Sequence, residues 1–327
     1  NAFDLLNARY AKVDLGKSLS EQIVEYVLQL DKDLNYNRSN VILDGAELTP
    51  LFKTLFHQGL TMLLALDDFS DERVAKLSPS DVKKSAALEL SAEQVSTSWK
   101  RVTEAIHRSW QFLQTRCSVP TERTLRNKML ALPLMAAFLS PENERPPNID
   151  DYLLYYFWTS TLTSRFSTAQ NERANADIQY LLSWILGRIA NPFTDRKEDV
   201  LNEAGYSDLA ALLGKEDDDS STRIGVYFHM FVNSKPARDL ITDKPLFVTE
   251  TDVEVHHIIP LGSVAKVGDS TQELRKDSTT DFGRLMNSPL NKCYISRESN
   301  RAISSKSLDQ YSKDVTNEAL ALVGLQI

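Results

Sequence analysis

The stretch 253-VEVHHIIPLG-262 sets two of the chain's five histidines, His256 and His257, side by side. An imidazole at neutral pH is both a proton acceptor and a metal ligand, because its unperturbed pKa is about 6.5. Adjacent residues on a strand face opposite sides, so two neighbouring rings share one task only where the strand ends and the backbone bends. Pro260 and Gly262 mark the place for that bend. Downstream, 287-NSPLNKCYISRESNRAISSK-306 offers side-chain amides, with Asn291 nine residues ahead of Asn300. Basic residues gather in the same region. Between Arg284 and Lys313 there are six (Arg284, Lys292, Arg297, Arg301, Lys306, Lys313) against Glu298 and Asp309, a local balance of +4. Such a face suits phosphate groups or is simply solvated.

The elements that must carry these residues follow from local patterns. Alternating β-branched residues at Val253 and Val255 predict a strand that ends at the histidines, and Lys292 to Ile295 predicts a second. A helix begins near Asn300, and another runs through 315-VTNEALALV-323. Polar residues fill 266–283, read as loop. Ahead of this region the chain reads as helix after helix. Ser18-Leu-Ser-Glu21 has capping-box spacing before a stripe at Leu19, Ile23, Val27, Leu30 and Leu34. Thr49-Pro50 is a second helix start. Ser91 to Gln94 repeats the box before Val95, Trp99, Val102, Ile106, Trp110 and Leu113. Further helices follow Thr121, Asn148 and Thr168, and a short one from Ser207 stops at Gly214. The run 215-KEDDDSSTR-223 reads as an exposed loop. The aromatic residues of 152-YLLYYFWTSTLTSRF-166 sit in helical context and read as core. His57, His107 and His229 stand singly and are assigned no chemistry. The fold class expected is therefore mainly α: a multi-helix domain over 1–240, then a small α+β domain over 241–327, with the boundary good to about ten residues.

The totals exclude several classes. At 327 residues the chain is long enough for two domains and a substantial core. It has no apolar run near the roughly 18 residues a membrane span needs. Cys117 and Cys293 are too few for a disulfide framework or a cysteine zinc cage, and no signal peptide opens the sequence, so a cytoplasmic protein is expected. A net charge of −8 and a pI near 5.3 argue against a surface that grips nucleic acid everywhere, though not against a local basic face.

The order strand with His-His, loop, short strand with Asn291, helix with Asn300 resembles the HNH nucleases, the ββα-metal or His-Me finger group. Carried over by position, the resemblance makes His256 a metal ligand, His257 the general base, Asn291 the residue that orients the loop and Asn300 the second ligand. Phosphodiester hydrolysis needs an activated water and a positive centre near the phosphate, which fits this division. The base is competent if its other nitrogen is held by a carbonyl or amide. Asn291 can help provide that hold or bridge the two strands; Asn287 is a rival without the spacing. Members of the group with a third protein ligand place it four residues beyond the Asn300 position, and here Ser304 stands there. Two ligands then rely on water and substrate, which favours Mg²⁺ or Mn²⁺. Asp281 is an additional candidate ligand. Lys292, Arg297, Arg301 and Lys306 are the candidates to contact DNA phosphates.

A second resemblance covers most of the chain. The segments 3-FDLLNARYAKVDLGKSL-19 and 156-YFWTSTLTSRFSTAQNERANADI-178, followed by the HNH-like end, resemble the rear portion of GmrSD-type restriction proteins. That resemblance implies a metal-dependent DNA endonuclease or nickase acting in defence against modified or foreign DNA. It also implies an N-terminal ParB-like nucleotide-hydrolysing domain outside this chain, with 1–16 as its tail. A DGQQR-like nucleotide-binding run does not occur in this sequence, so no nucleotide hydrolysis is expected of it. The alternative is a non-catalytic DNA-sensing or protein-interaction module with a degenerate HNH-like end.

Overall fold

In the computed structural model, the residues described are 2–10, 17–30, 42–119, 122, 125, 127–163, 165–202, 238–246, 253–265, 270–277, 279–288 and 291–316. They form two compact units, 1–116 with 121–198, and 117–120 with 199–327. The boundary expected near 240 thus lies inside the second unit. Leu240 packs there with Ile258, Cys293, Ile295, Ile303 and Tyr311, which a purely sequential reading of residue texture does not register.

The first unit is helical because its apolar residues recur at helical spacing and its helix starts are capped. Helix α1 spans Ala2–Tyr10 and α2 Leu19–Leu30. Ser18 Oγ accepts from the Glu21 N–H at 3.2 Å while Ser18 N–H donates to the Glu21 carboxylate at 2.8 Å, the reciprocal pair that the spacing predicts. Leu19, Ile23 and Val27 are buried; Leu34 lies outside the described residues. A two-residue hairpin, β1 (Leu43–Asp44) and β2 (Glu47–Leu48), leads into α3 (Pro50–Leu66), whose Thr49 cap accepts from Phe52 N–H at 3.1 Å. Short α4 (Asp71–Lys76) precedes α5 (Ala92–Cys117), which opens with the Ser91–Gln94 box and buries Val95, Trp99, Val102, Ile106, Trp110 and Leu113 on one face. The start expected after Thr121 falls on residues outside those described. The helix that follows is α6 (Ala131–Leu139), then α7 (Ile149–Leu162), α8 (Gln170–Ile185) and α9 (Thr194–Asn202).

Two features of this unit are tied to single residues. At Gly59 on α3 an added Cβ would lie 2.6 Å from Val102 Cγ1, so a missing side chain is what lets α3 and α5 approach. On α8, Asp177 is fully buried and takes an ion pair from Arg165 at 3.1 Å, another from Arg196 and the Tyr156 hydroxyl proton at 3.1 Å. Burying a carboxylate costs several kcal/mol unless it is paired in this way. The aromatic run on α7 is core, as its spacing implies: Tyr156 and Phe157 are buried, and Tyr152 lies 4.5 Å from the Trp184 ring of α8.

The second unit is built on an antiparallel pair, β3 (Val253–His257) and β4 (Lys292–Ser296), in the register His256 opposite Cys293 and His257 opposite Lys292. Between them lie α10 (Leu261–Val264), α11 (Thr271–Lys276) and α12 (Asp281–Asn287); after β4 come α13 (Arg297–Ile303) and α14 (Leu308–Tyr311). The loop expected over 266–283 therefore contains α11 and the start of α12. Both are too short and too polar for an apolar stripe to show, and they are started by caps instead, Ser270 accepting from Gln272 N–H and Thr280 from Gly283 N–H. The expected helix over 315–323 and the readings of 207–214 and 215–223 fall largely or wholly outside the described residues. Among the described residues no helix is long and apolar enough to cross a membrane.

Candidate active site

Strand β3 alternates, so the neighbouring histidines leave it on opposite sides. His256 is buried at 5% exposure and His257 is half-buried. Beyond His257 the ladder is continued by one residue of the facing strand. Asn291 takes the Ile258 N–H on its backbone carbonyl and the Ile259 N–H on its side-chain oxygen, both at 2.8 Å. Its amide nitrogen donates to Met286 O at 2.8 Å. Asn291 thus locks the turn after the histidines, the bridging role left open for it in the sequence. It does not hold the His257 ring.

That hold comes from Asn287, the rival passed over for its spacing. Asn287 hydrogen-bonds the His257 ring. The ring's Nε2 is buried without a hydrogen-bond partner. The Asn287 amide nitrogen is occupied by three carbonyls, Leu274 at 2.7 Å, Gly283 at 3.0 Å and Asp277 at 3.2 Å, which leaves its oxygen as the end free for the imidazole. Burial, the Lys292 charge across the ladder and Arg275 on α11, opposed by the Asn287 bond, push the pKa of His257 down to about 4. The ring is neutral at cellular pH and able to accept a proton. Gly283 makes room for the arrangement, since a Cβ there would clash with Asp277 Cγ.

On the other face, the His256 Nδ1 lies 2.8 Å from Asn300 Oδ1. Burial lowers the pKa of His256, partly offset by that contact. Asn300 reaches it from the first turn of α13, whose start is fixed twice. Ser296 caps it by accepting from Ser299 N–H, and buried Asp239 accepts from Ser296 N–H at 2.6 Å and from the Ser299 hydroxyl. The Asn300 amide nitrogen donates to Glu254, whose other oxygen takes the Arg297 Nε proton at 3.0 Å. These bonds hold the Glu254 carboxyl below its ordinary pKa despite some burial.

His256 Nδ1 and Asn300 Oδ1 are the two candidate cation ligands that the fold brings together, and among the described residues no group of three or more His, Cys, Asp and Glu side chains gathers. Two neighbouring ligands of an octahedral ion with bonds of about 2.1 Å stand about 3 Å apart, close to the separation of Nδ1 and Oδ1. The ring's single proton would then occupy Nε2. Ser304 adds no ligand. It ends α13 with φ 51°, its N–H bonded to Asn300 O at 2.9 Å, so the helix stops where a third ligand one turn on would stand. Asp281 is exposed and paired with Arg284.

The basic residues separate. Lys292 faces His257 across the ladder, and burial together with the nearby Arg275 charge lowers its pKa. Arg301 and Lys306 are exposed, whereas Arg297 is engaged with Glu254. Arg275, Glu254 and Asp239 were not singled out for site roles in the sequence. Only Glu254 carried a signal there, two residues before His256 and hence on the same strand face. No protein-family model matches the chain, and neither a curated protein nor a solved structure does.

Proposed function

We propose that the second unit is a metal-dependent phosphodiesterase acting on DNA by the one-metal HNH mechanism, the endonuclease or nickase module of a GmrSD-type defence protein. One observation carries this reading. Adjacent histidines on opposite faces of one strand each meet a separate asparagine, His256 the helix-borne Asn300 and His257 Asn287.

His257, neutral at cellular pH, is the group that accepts the proton of the attacking water, with Asn287 set against its ring. Asn291 holds the turn that aims the ring. A Mg²⁺ or Mn²⁺ ion held by His256 and Asn300 would supply the positive centre for the phosphate and the departing oxygen. Lys292 and Arg275 bring positive charge to the His257 side, and the exposed Arg301 and Lys306 serve flanking phosphates. Arg297 serves the site through Glu254. The resemblance adds an N-terminal nucleotide-hydrolysing partner domain and a cytoplasmic setting, where invading DNA is met.

The test is incubation of the chain with supercoiled plasmid and Mg²⁺ or Mn²⁺, with and without chelator. Chelator-sensitive nicking or linearisation is expected. His257→Ala should lose on the order of 10²–10⁴ in rate while binding Mn²⁺ normally, and His256→Ala should lose Mn²⁺ binding. Failure to cleave with either metal, or identical behaviour of the two variants, would favour a non-catalytic module.

A further inference from the structure

We propose that Glu254 is a positioning residue that sets the Asn300 side chain with its oxygen, and not its nitrogen, toward His256. This rests on the reading of His256 and Asn300 as the pair that holds the cation.

Rotating a side-chain amide by half a turn exchanges its oxygen and nitrogen at almost no steric cost, so its partners decide the orientation. His256 cannot decide it. A neutral imidazole offers either an N–H or a lone pair at Nδ1, and so accommodates either end of the amide. Glu254 can. An ionised carboxylate only accepts hydrogen bonds, so whatever faces it must be the N–H₂ end. Its Oε2 takes the Asn300 Nδ2 proton, which turns Oδ1 toward Nδ1 at 2.8 Å. The placement is built by two periodicities. Glu254 and His256 lie two apart on β3 and share a face, while Arg297 and Asn300 lie three apart on α13 and share a face. Arg297 closes the arrangement by donating to Oε1 at 3.0 Å, holding the carboxylate against the amide. The consequence is chemical, because an amide nitrogen has no lone pair to offer a cation and only the oxygen can be a ligand.

Glu254→Gln tests this with nearly the same shape, since glutamine can present either an acceptor or a donor and releases the constraint. Two readouts are taken on the full chain. Without metal, ¹⁵N NMR of the His256 ring should show one tautomer in the native protein, protonated at Nδ1 and donating to Oδ1. In Glu254→Gln a population protonated at Nε2 should appear, because a turned amide donates to Nδ1. Titration with Mn²⁺ followed by its electron paramagnetic resonance should show affinity about 10-fold to 100-fold weaker in Glu254→Gln, the range typical of lost outer-shell partners. Glu254→Asp, which keeps an acceptor-only group, should recover the native tautomer. Unchanged thermal melting in Glu254→Gln would confirm that these effects are local. An unchanged tautomer in Glu254→Gln overturns the proposal. A shifted tautomer in a protein whose native form binds no Mn²⁺ upholds the positioning role and refutes the cation site instead.

Discussion

Replacing Asp239 by asparagine should loosen the second unit by an amount that the structure lets one work out. Asp239 is 1% exposed, and five donors converge on its carboxylate: the N–H groups of Ile241, Thr242 and Ser296 and the hydroxyls of Thr242 and Ser299. Burial raises its pKa, but the bonds from Ser299, Thr242 and Ser296 outweigh it and bring the value from 3.8 to about 2. At about 1.36 kcal/mol per pH unit, ionisation contributes on the order of 2 kcal/mol to the folded state. A depressed carboxyl stabilises the fold above its unfolded pKa of 3.8, and the contribution is lost as pH falls through about 2. The substituted amide would lose that term and set an N–H₂ against groups that are themselves donors. All four tryptophans (Trp99, Trp110, Trp158, Trp184) lie in the first unit, so fluorescence does not report on the second. Hydrogen exchange of peptides covering β3, β4 and α13, read by mass spectrometry, does. Asp239→Asn should speed exchange there about 30-fold at pH 7, the equivalent of about 2 kcal/mol, and leave the first unit unchanged. In the native protein the same protection should fade, after correction for intrinsic rates, between about pH 4 and pH 2. Native-like protection in the variant at pH 7 would refute the assignment of Asp239 as the anchor of α13.

Asn287→Ala should reduce cleavage by about 10-fold or more without altering Mn²⁺ affinity, because it frees the base and leaves His256 and Asn300 in place. Gly283→Ala should do the same by displacing Asp277. An equal loss of Mn²⁺ binding in either variant would contradict the separation of the two faces. In DNA binding followed by fluorescence anisotropy, Arg301→Ala and Lys306→Ala should each reduce the magnitude of the log K against log salt slope by about 0.9 on duplex DNA. Arg297→Ala should change it less, its charge being matched by Glu254, and unchanged slopes in all three would remove DNA from this face. Gly59→Ala should destabilise the first unit by about 1–3 kcal/mol in urea unfolding, since the clash with Val102 outweighs a gain in helix propensity of about 1 kcal/mol; a stabilised variant would show that α3 and α5 have room to spare.

The elements that carry the candidate site residues could be read from sequence because they depend on neighbours a few positions apart. Capping at Ser18, Thr49 and Ser91, the stripe from Val95 to Leu113, the strands at 253 and 292 and the helix bearing Asn300 all belong to that class. Short polar helices escaped it. The caps that start α11 and α12 leave no periodic stripe, and so Asn287, four positions before Asn291, read only as a rival without the spacing. What only the tertiary structure decided is which asparagine meets which histidine. Spacing along the chain cannot say that Asn291 spends its side chain on the backbone of Ile259 and Met286 while Asn287 takes the imidazole, because that choice is made by where α12 packs. The same holds for Asp239, which lies 57 residues before the Ser296 N–H that it accepts, and for Glu254, whose meaning depends on a helix 46 residues later. Hydrogen bonds across such separations are set by the packing of a core that gathers Leu240, Ile258, Ile295 and Ile303, and no local pattern encodes their partners.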